Sequence, residues 1–244
     1  MAAHAGQLEK GGGSEDSFET YLYLITHDLR ACFRALKTIP AWIAEDLVDA
    51  DVPDEVHTHL EMLMTQALRG DRMLIDLREF SRVGRLSGPP MTEDIRSVVA
   101  RCWQALNPPD GMQLDLEKAE GAVTLPQEDT IRLFAALLEN VVKHHDGPGG
   151  HVRIVSAGGP EVRIRIEDDG PGIAQEYREK AFELLTTLRP RDACEGSGVG
   201  LALARKIVES AGGTIGLEDV PAGRGLCVSI RLPAGAERVN GGRE

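Results

Sequence analysis

Near the start of the chain an apolar residue recurs at alternating intervals of four and three. The row is Phe18, Leu22, Ile25, Leu29, Cys32, Leu36, Ile39 and Ile43. Only an α-helix brings such a row onto one face, and nearly four unbroken heptads specify a helix that packs lengthwise against others. Pro40 falls inside it and should kink it about one turn upstream. Residues 48–54 interrupt the pattern, and Pro53 suits a helix start. A second row follows: Val56, Leu60, Leu63, Ala67, Gly70, Leu74 and Leu77. Two long helices with a short connection form an antiparallel hairpin with the apolar rows along its seam. A lone hairpin buries little. Met64, Leu68, Met73, Ile75 and Phe80 beside the seam widen the apolar face as a four-helix bundle requires, so we expect a homodimer. The competing arrangement is a monomer with the hairpin folded onto the rest of the chain.

Composition narrows the partners. The chain has 244 residues, enough for one large domain or two small ones. Its 39 acidic and 27 basic residues give a formal charge of −12, which argues against general binding to nucleic acid or anionic membranes. No apolar run approaches the ~18–20 residues of a membrane helix, so no direct membrane insertion is expected. Residues 1–16 are Gly- and Ser-rich and read as a flexible lead-in, with no signal-peptide core. Cys32, Cys102, Cys194 and Cys227 form no CxxC pair, which fits a reduced, cytoplasmic protein without a zinc site. Aromatics are 4%, so the core must be mostly aliphatic.

The run Leu86-Ser87-Gly88-Pro89-Pro90 marks a boundary. Beyond it the texture is mixed. Residues 92–106, 130–145 and 197–211 read as helices. Residues 113–116, 151–156, 161–167, 214–218 and 225–231 read as strands. Strands with separate helices suggest an α+β sandwich, helices on one face of a mixed sheet. The expected organisation is a lead-in at 1–16, a helical hairpin at 17–86, a linker at 87–91, an α+β domain at 92–234 and a flexible tail at 235–244.

Four segments carry chemistry. In Thr26-His27-Asp28-Leu29-Arg30, His27 falls on the helix face most remote from the seam and should be accessible. A neutral imidazole attacks phosphorus near pH 7, and the adjacent Asp28 can orient it and take its other proton. The run Ile166-Glu167-Asp168-Asp169-Gly170-Pro171-Gly172 follows a strand. Asp168 at a strand end, with Gly170 and Gly172 allowing close backbone approach, fits recognition of an exocyclic amino group. Gly196-Ser197-Gly198-Val199-Gly200-Leu201 runs into a helix, whose free N–H groups and dipole favour a phosphate. It is neither a P-loop nor a dinucleotide fingerprint. Asn140, Lys143 and His144 share one helix face, with a neutral oxygen for Mg2+ and a charge for phosphates. His144-His145 and His57 with His59 lack the further ligands a metal site needs.

In this order, the four segments resemble a bacterial sensor histidine kinase of a two-component system, over roughly residues 18–232. The resemblance implies that the hairpin is the dimerisation and phosphoacceptor domain, with His27 phosphorylated and Asp28 helping to deprotonate it. The remainder is then the ATP-binding domain shared with gyrase, Hsp90 and MutL. Asn140 would be its Mg2+ ligand, with Lys143 and His144 facing phosphate and ribose. Asp168 would bond the adenine amino group, Gly170 and Gly172 completing that box. Phe182 would precede an ATP lid at about 183–195. Gly196, Ser197, Gly198, Gly200 and Leu201 would form the last glycine box. The partners implied are a second copy of the chain, a response-regulator receiver domain and a sensor that is either a separate protein or deleted from this chain.

The chain also departs from the family. Cys32 and Phe33 stand where proline and leucine usually follow the histidine. Ala31 replaces the Thr or Asn found in kinases that also dephosphorylate their regulator, so phosphatase activity should be weak. Ala136 replaces the water-activating Glu of gyrase-like ATPases, which favours transfer to imidazole over hydrolysis. The runner-up is a histidine phosphotransferase with a non-catalytic ATP-like domain, relaying phosphate between receivers. A serine kinase acting as an anti-sigma factor would need no heptad hairpin, and a pure dimerisation scaffold would need no nucleotide boxes.

Overall fold

The structure, a computed structural model, describes residues 13–84, 87–188, 196–221 and 223–234, without the side chains of residues 13–24, 27, 28 and 31. They fold as two compact units that divide after Arg82.

The first unit is a helical hairpin, α1 (Gly13–Asp46) and α2 (Asp54–Arg82). Helix α1 begins at Gly13, so the last residues assigned to a flexible lead-in are helical. It continues through Pro40 without interruption. Asp54 and Glu55 stand at the start of α2, where carboxylates favour the helix dipole. The apolar row of α1 is not the seam between the two helices. Ile25, Leu29, Cys32, Leu36, Ile39 and Ile43 are all exposed. The sheltered row lies one residue further on: Thr26, Arg30, Phe33, Lys37, Pro40 and Ala44 are buried or half-buried. Phe33 packs against Gly70, where an added Cβ would stand 2.0 Å from its Cε1. Lys37 Nζ reaches Asp71 Oδ2 at 2.6 Å across the hairpin. An amphipathic row therefore faces α2, and the wholly apolar row faces outward.

The second unit is a two-layer α+β sandwich. Five strands form the main sheet: β2 (Gly111–Asp115), β4 (Gly149–Ala157), β5 (Glu161–Asp168), β6 (Thr214–Glu218) and β7 (Cys227–Pro233), in the order β2-β4-β5-β7-β6. Only β2–β4 is parallel. Helices α3 (Ile95–Leu106), α4 (Gln127–His144) and α5 (Gly200–Ser210) supply the other layer. Alternation directs Val152, Ile154, Val162, Ile164, Ile166, Val228, Ile230 and Leu232 inward, against Leu133, Phe134, Leu137 and Leu138 of α4 and Ile207 and Val208 of α5.

One expectation needs correction here. Residues 92–94 are not helical: they belong to strand β1 (Pro90–Asp94), which pairs antiparallel with β3 (Ala122–Pro126). Asp94 ends that strand and caps α3, its Oδ1 accepting the Ser97 N–H at 2.8 Å. The glycine-rich run likewise enters its helix at Gly200 rather than at residue 197.

Candidate functional site

Inward alternation along β5 runs Val162, Ile164, Ile166 and then Asp168, so a carboxylate arrives at the strand end on the core side. Its Oδ1 accepts N–H bonds from Gly170 at 2.9 Å and Leu226 at 3.2 Å. Its Oδ2 takes no hydrogen bond among the described residues and is left for a donor on a ligand. Burial pushes the Asp168 carboxyl above the usual range, and the two N–H bonds only partly offset that. Gly225 makes the arrangement possible. Its φ is +116° and an added Cβ would stand 1.7 Å from the Asp168 carbonyl oxygen.

Helix α4 buries Leu133, Leu137 and Val141 and turns Asn140 and His144, one turn apart, towards the same space. At its other side α5 starts without a side-chain cap, so its first N–H groups are open to an anion. Gly198 precedes it with φ +70°, pressed so closely on Leu185 and Thr186 that a Cβ would stand 2.7 Å from their backbone. The result is a cavity of about 270 Å3. Asn140, His144, Asp168, Gly170, Gly172, Gly196, Gly198, Gly200 and Leu201 all line it.

Three expected site residues are not on its wall. Lys143 is exposed and pairs with Glu139 at 2.8 Å. Phe182 is buried, with the Arg205 guanidinium 3.8 Å from its ring centroid. Ser197 accepts the Val199 N–H at 3.3 Å. His27 and Asp28 lie within α1, and with Ala31 their side chains fall outside the described residues, as do residues 189–195 of the expected lid at 183–195. The wall also includes Thr186 and Thr187, from the first part of the segment expected as a lid, and Tyr177 and Leu226, which sequence reading did not single out. Leu226 reaches Asp168 across 58 residues, a pairing without local signal.

For Mg2+, the donor set fits a nucleotide-borne ion. Asn140 offers a neutral amide oxygen on the cavity wall, and no cluster of three or more His, Cys, Asp or Glu that could hold a metal occurs among the described residues.

A carboxylate and an amide thus face an uncapped, glycine-lined helix start across one cavity of the sandwich. Residues 126–236 match the family described as histidine kinase-, DNA gyrase B-, and HSP90-like ATPase. The methanogenesis regulatory histidine kinase FilI of Methanothrix harundinacea (strain 6Ac) is 31% identical over 238 residues, covering 93% of this chain and 26% of that protein. Sensor protein KdpD of Rathayibacter rathayi is 31% identical over 242 residues, covering 91% of this chain and 27% of that protein. Full-length ShkA, solved in complex with AMPPNP, shares the fold with a TM-score of 0.62 at 18% identity, over 89% of this chain and 47% of that one. The histidine kinase AdeS of Acinetobacter baumannii shares it with a TM-score of 0.55 at 23% identity, over 82% and 95%. Residues 126–236 thus match that ATPase family, and the chain resembles the catalytic core of sensor histidine kinases. It spans about a quarter of the length of the curated relatives it matches. No helix among the described residues is long and apolar enough to cross a membrane.

Proposed function

We propose that the chain binds ATP with Mg2+ in this cavity, moves the γ-phosphoryl group to His27, and passes it to an aspartate of a response-regulator receiver domain. The observation that carries the reading is the convergence of Asn140, His144, Asp168 and the glycine box on one cavity. Asp168 Oδ2 accepts the adenine amino group. Gly198, Gly200 and Leu201 present backbone N–H groups to the phosphates at the positive end of α5. Mg2+, held by Asn140 and the nucleotide, supplies charge neutralisation when bound. Ala136 supports transfer over hydrolysis: a Cβ added to Gly200 would lie 3.8 Å from the Ala136 carbonyl oxygen, so a methyl-bearing residue without a base stands beside the glycine box. In the transfer the bond from the γ-phosphorus to the β,γ-bridging oxygen breaks, ADP leaves, and a bond from phosphorus to an imidazole nitrogen of His27 forms, with Asp28 taking the proton of the other ring nitrogen.

Homodimerisation belongs to the same reading. The outward row of α1 includes Ile39 at 48% and Leu36 at 43% exposure, and Leu63 and Leu68 of α2 are exposed as well. A row of that length facing water is the face that a second hairpin covers in a four-helix bundle.

The test incubates the chain with γ-labelled ATP and Mg2+, then adds a receiver domain. Label should enter the chain, leave it for the receiver, and fail to enter Asp168→Asn. A chain that binds no nucleotide yet accepts phosphate from a phosphorylated receiver would replace this reading with the phosphotransferase.

A further inference from the structure

The base-binding Asp168 is followed by a second carboxylate whose partners are all internal. Asp169 Oδ1 accepts the His151 N–H at 2.8 Å and meets His145 Nε2 at 3.0 Å. His145 is the residue at which α4 ends, its own N–H still bonded to the Val141 carbonyl at 3.0 Å. Its backbone then turns extended, and its side chain is only 6% exposed. The ring lies flush on the glycine-rich turn that follows. A Cβ at Gly150 would stand 2.4 Å from Nε2, and one at Gly170 would stand 3.7 Å from Cδ2. In the shorter of its two contacts with Gly147, Nδ1 accepts the Gly147 N–H at 3.1 Å. An accepting Nδ1 leaves the proton on Nε2, which therefore donates to Asp169.

The imidazole so joins three segments: the end of α4, the start of β4 and the loop after β5, the latter two already in register through the pairing of Val152 with Asp168. Asn140 and His144 stand on the first of these and Asp168 on the last. The distance from amide to carboxylate across the cavity depends on how those segments are held.

We propose that His145 is a positioning residue for base recognition. Through Asp169 it fixes the loop that aims the Asp168 carboxylate into the cavity. The proposal rests on the reading above, in which Asp168 accepts the adenine amino group. Loss of this strut lets the loop shift and costs the bond to the amino group, while contacts to the phosphates at α5 persist.

The test measures the affinities of the full chain for ATP and for inosine triphosphate, which has a carbonyl oxygen in place of the amino group. Wild type should favour ATP. His145→Ala should weaken ATP by about tenfold, the scale of one hydrogen bond to a charged group, and leave inosine triphosphate nearly unchanged. His145→Gln, which keeps an N–H donor within reach of Asp169, should retain most of the preference. Asp169→Ala should lose it, and the double variant should add nothing further. A His145→Ala chain with the wild-type ratio, or with both affinities reduced equally, would overturn the proposal. If His145→Ala does not fold, Asp169→Ala with an intact ratio would overturn it. A wild-type chain with no preference for ATP would refute the role of Asp168 itself, a different failure and visible before any variant is made.

Discussion

The two units of this chain bury their apolar surface in opposite ways. In the sandwich, Ile154, Ile164, Ile166, Leu133, Phe134 and Leu138 are almost wholly inaccessible. In the hairpin, the most apolar row of α1 is exposed and a mixed row of Thr26, Phe33, Lys37 and Pro40 is sheltered instead. The sandwich covers its apolar residues within one chain, whereas the hairpin leaves an apolar row exposed, the face we propose a second copy covers.

Gly225→Ala should produce the largest effect. The left-handed φ and the 1.7 Å approach to Asp168 leave no room for a methyl. A loss of roughly 3 kcal/mol or more in the sandwich, together with loss of nucleotide binding, is expected in thermal melts and binding titrations. Melting of the hairpin should be unaffected.

On the other side of the comparison, Leu36→Asp places a charge in the exposed row. Sedimentation should show conversion of a dimer to monomers, and the melting temperature of the hairpin should become independent of protein concentration. Nucleotide affinity should stay within twofold, because the cavity lies wholly in the other unit.

A smaller effect is expected inside the hairpin. Gly70→Ala gains about 1 kcal/mol of helix propensity but drives a methyl into the Phe33 ring, at a cost of about 1–3 kcal/mol. Net destabilisation in denaturant unfolding should disappear when Phe33→Leu is added.

Asp168→Asn separates binding from stability. Burial raises the folded-state pKa of Asp168 above the unfolded value of 3.8. Between those two values the folded protein keeps a proton that the unfolded chain has released, so stability falls as pH rises through that interval. The amide should therefore abolish nucleotide binding and leave the sandwich at pH 7 as stable as wild type or slightly more so. Below pH 3.8 that difference should vanish.

The smallest effect belongs to Lys143→Ala. An exposed pair with Glu139 is worth only about 0.3–0.5 kcal/mol, and Lys143 is not on the cavity wall. A change in ATP affinity above threefold would return it to the phosphate site.

Much of this was legible in the chain, for reasons that also explain the failures. Period-two alternation placed β4 and β5, and it places Asp168 on the core side as the natural end of a series. The glycine box was readable because glycine has few other reasons to recur before a helix. The strand β1 was not, since Thr92-Glu93-Asp94 has no apolar alternation and owes its pairing to β3, some thirty residues away. The heptad of α1 was read as the seam of the hairpin, and the structure leaves that row exposed. Periodicity reports that a face must be covered, not by what. The choice between neighbours turned on Phe33 fitting Gly70 and Lys37 fitting Asp71, which are matters of shape and charge between distant residues. The contact from Leu226 to Asp168 was invisible for the same reason.

The central claim is that the nucleotide bound in the sandwich phosphorylates the hairpin at one histidine. It is tested most directly by exposing the chain labelled from γ-labelled ATP, beside His27→Ala, to acid and to alkali. The account predicts label that survives alkali, is lost in acid, and is absent from His27→Ala. Label that persists in His27→Ala, or that is stable to acid, would contradict it.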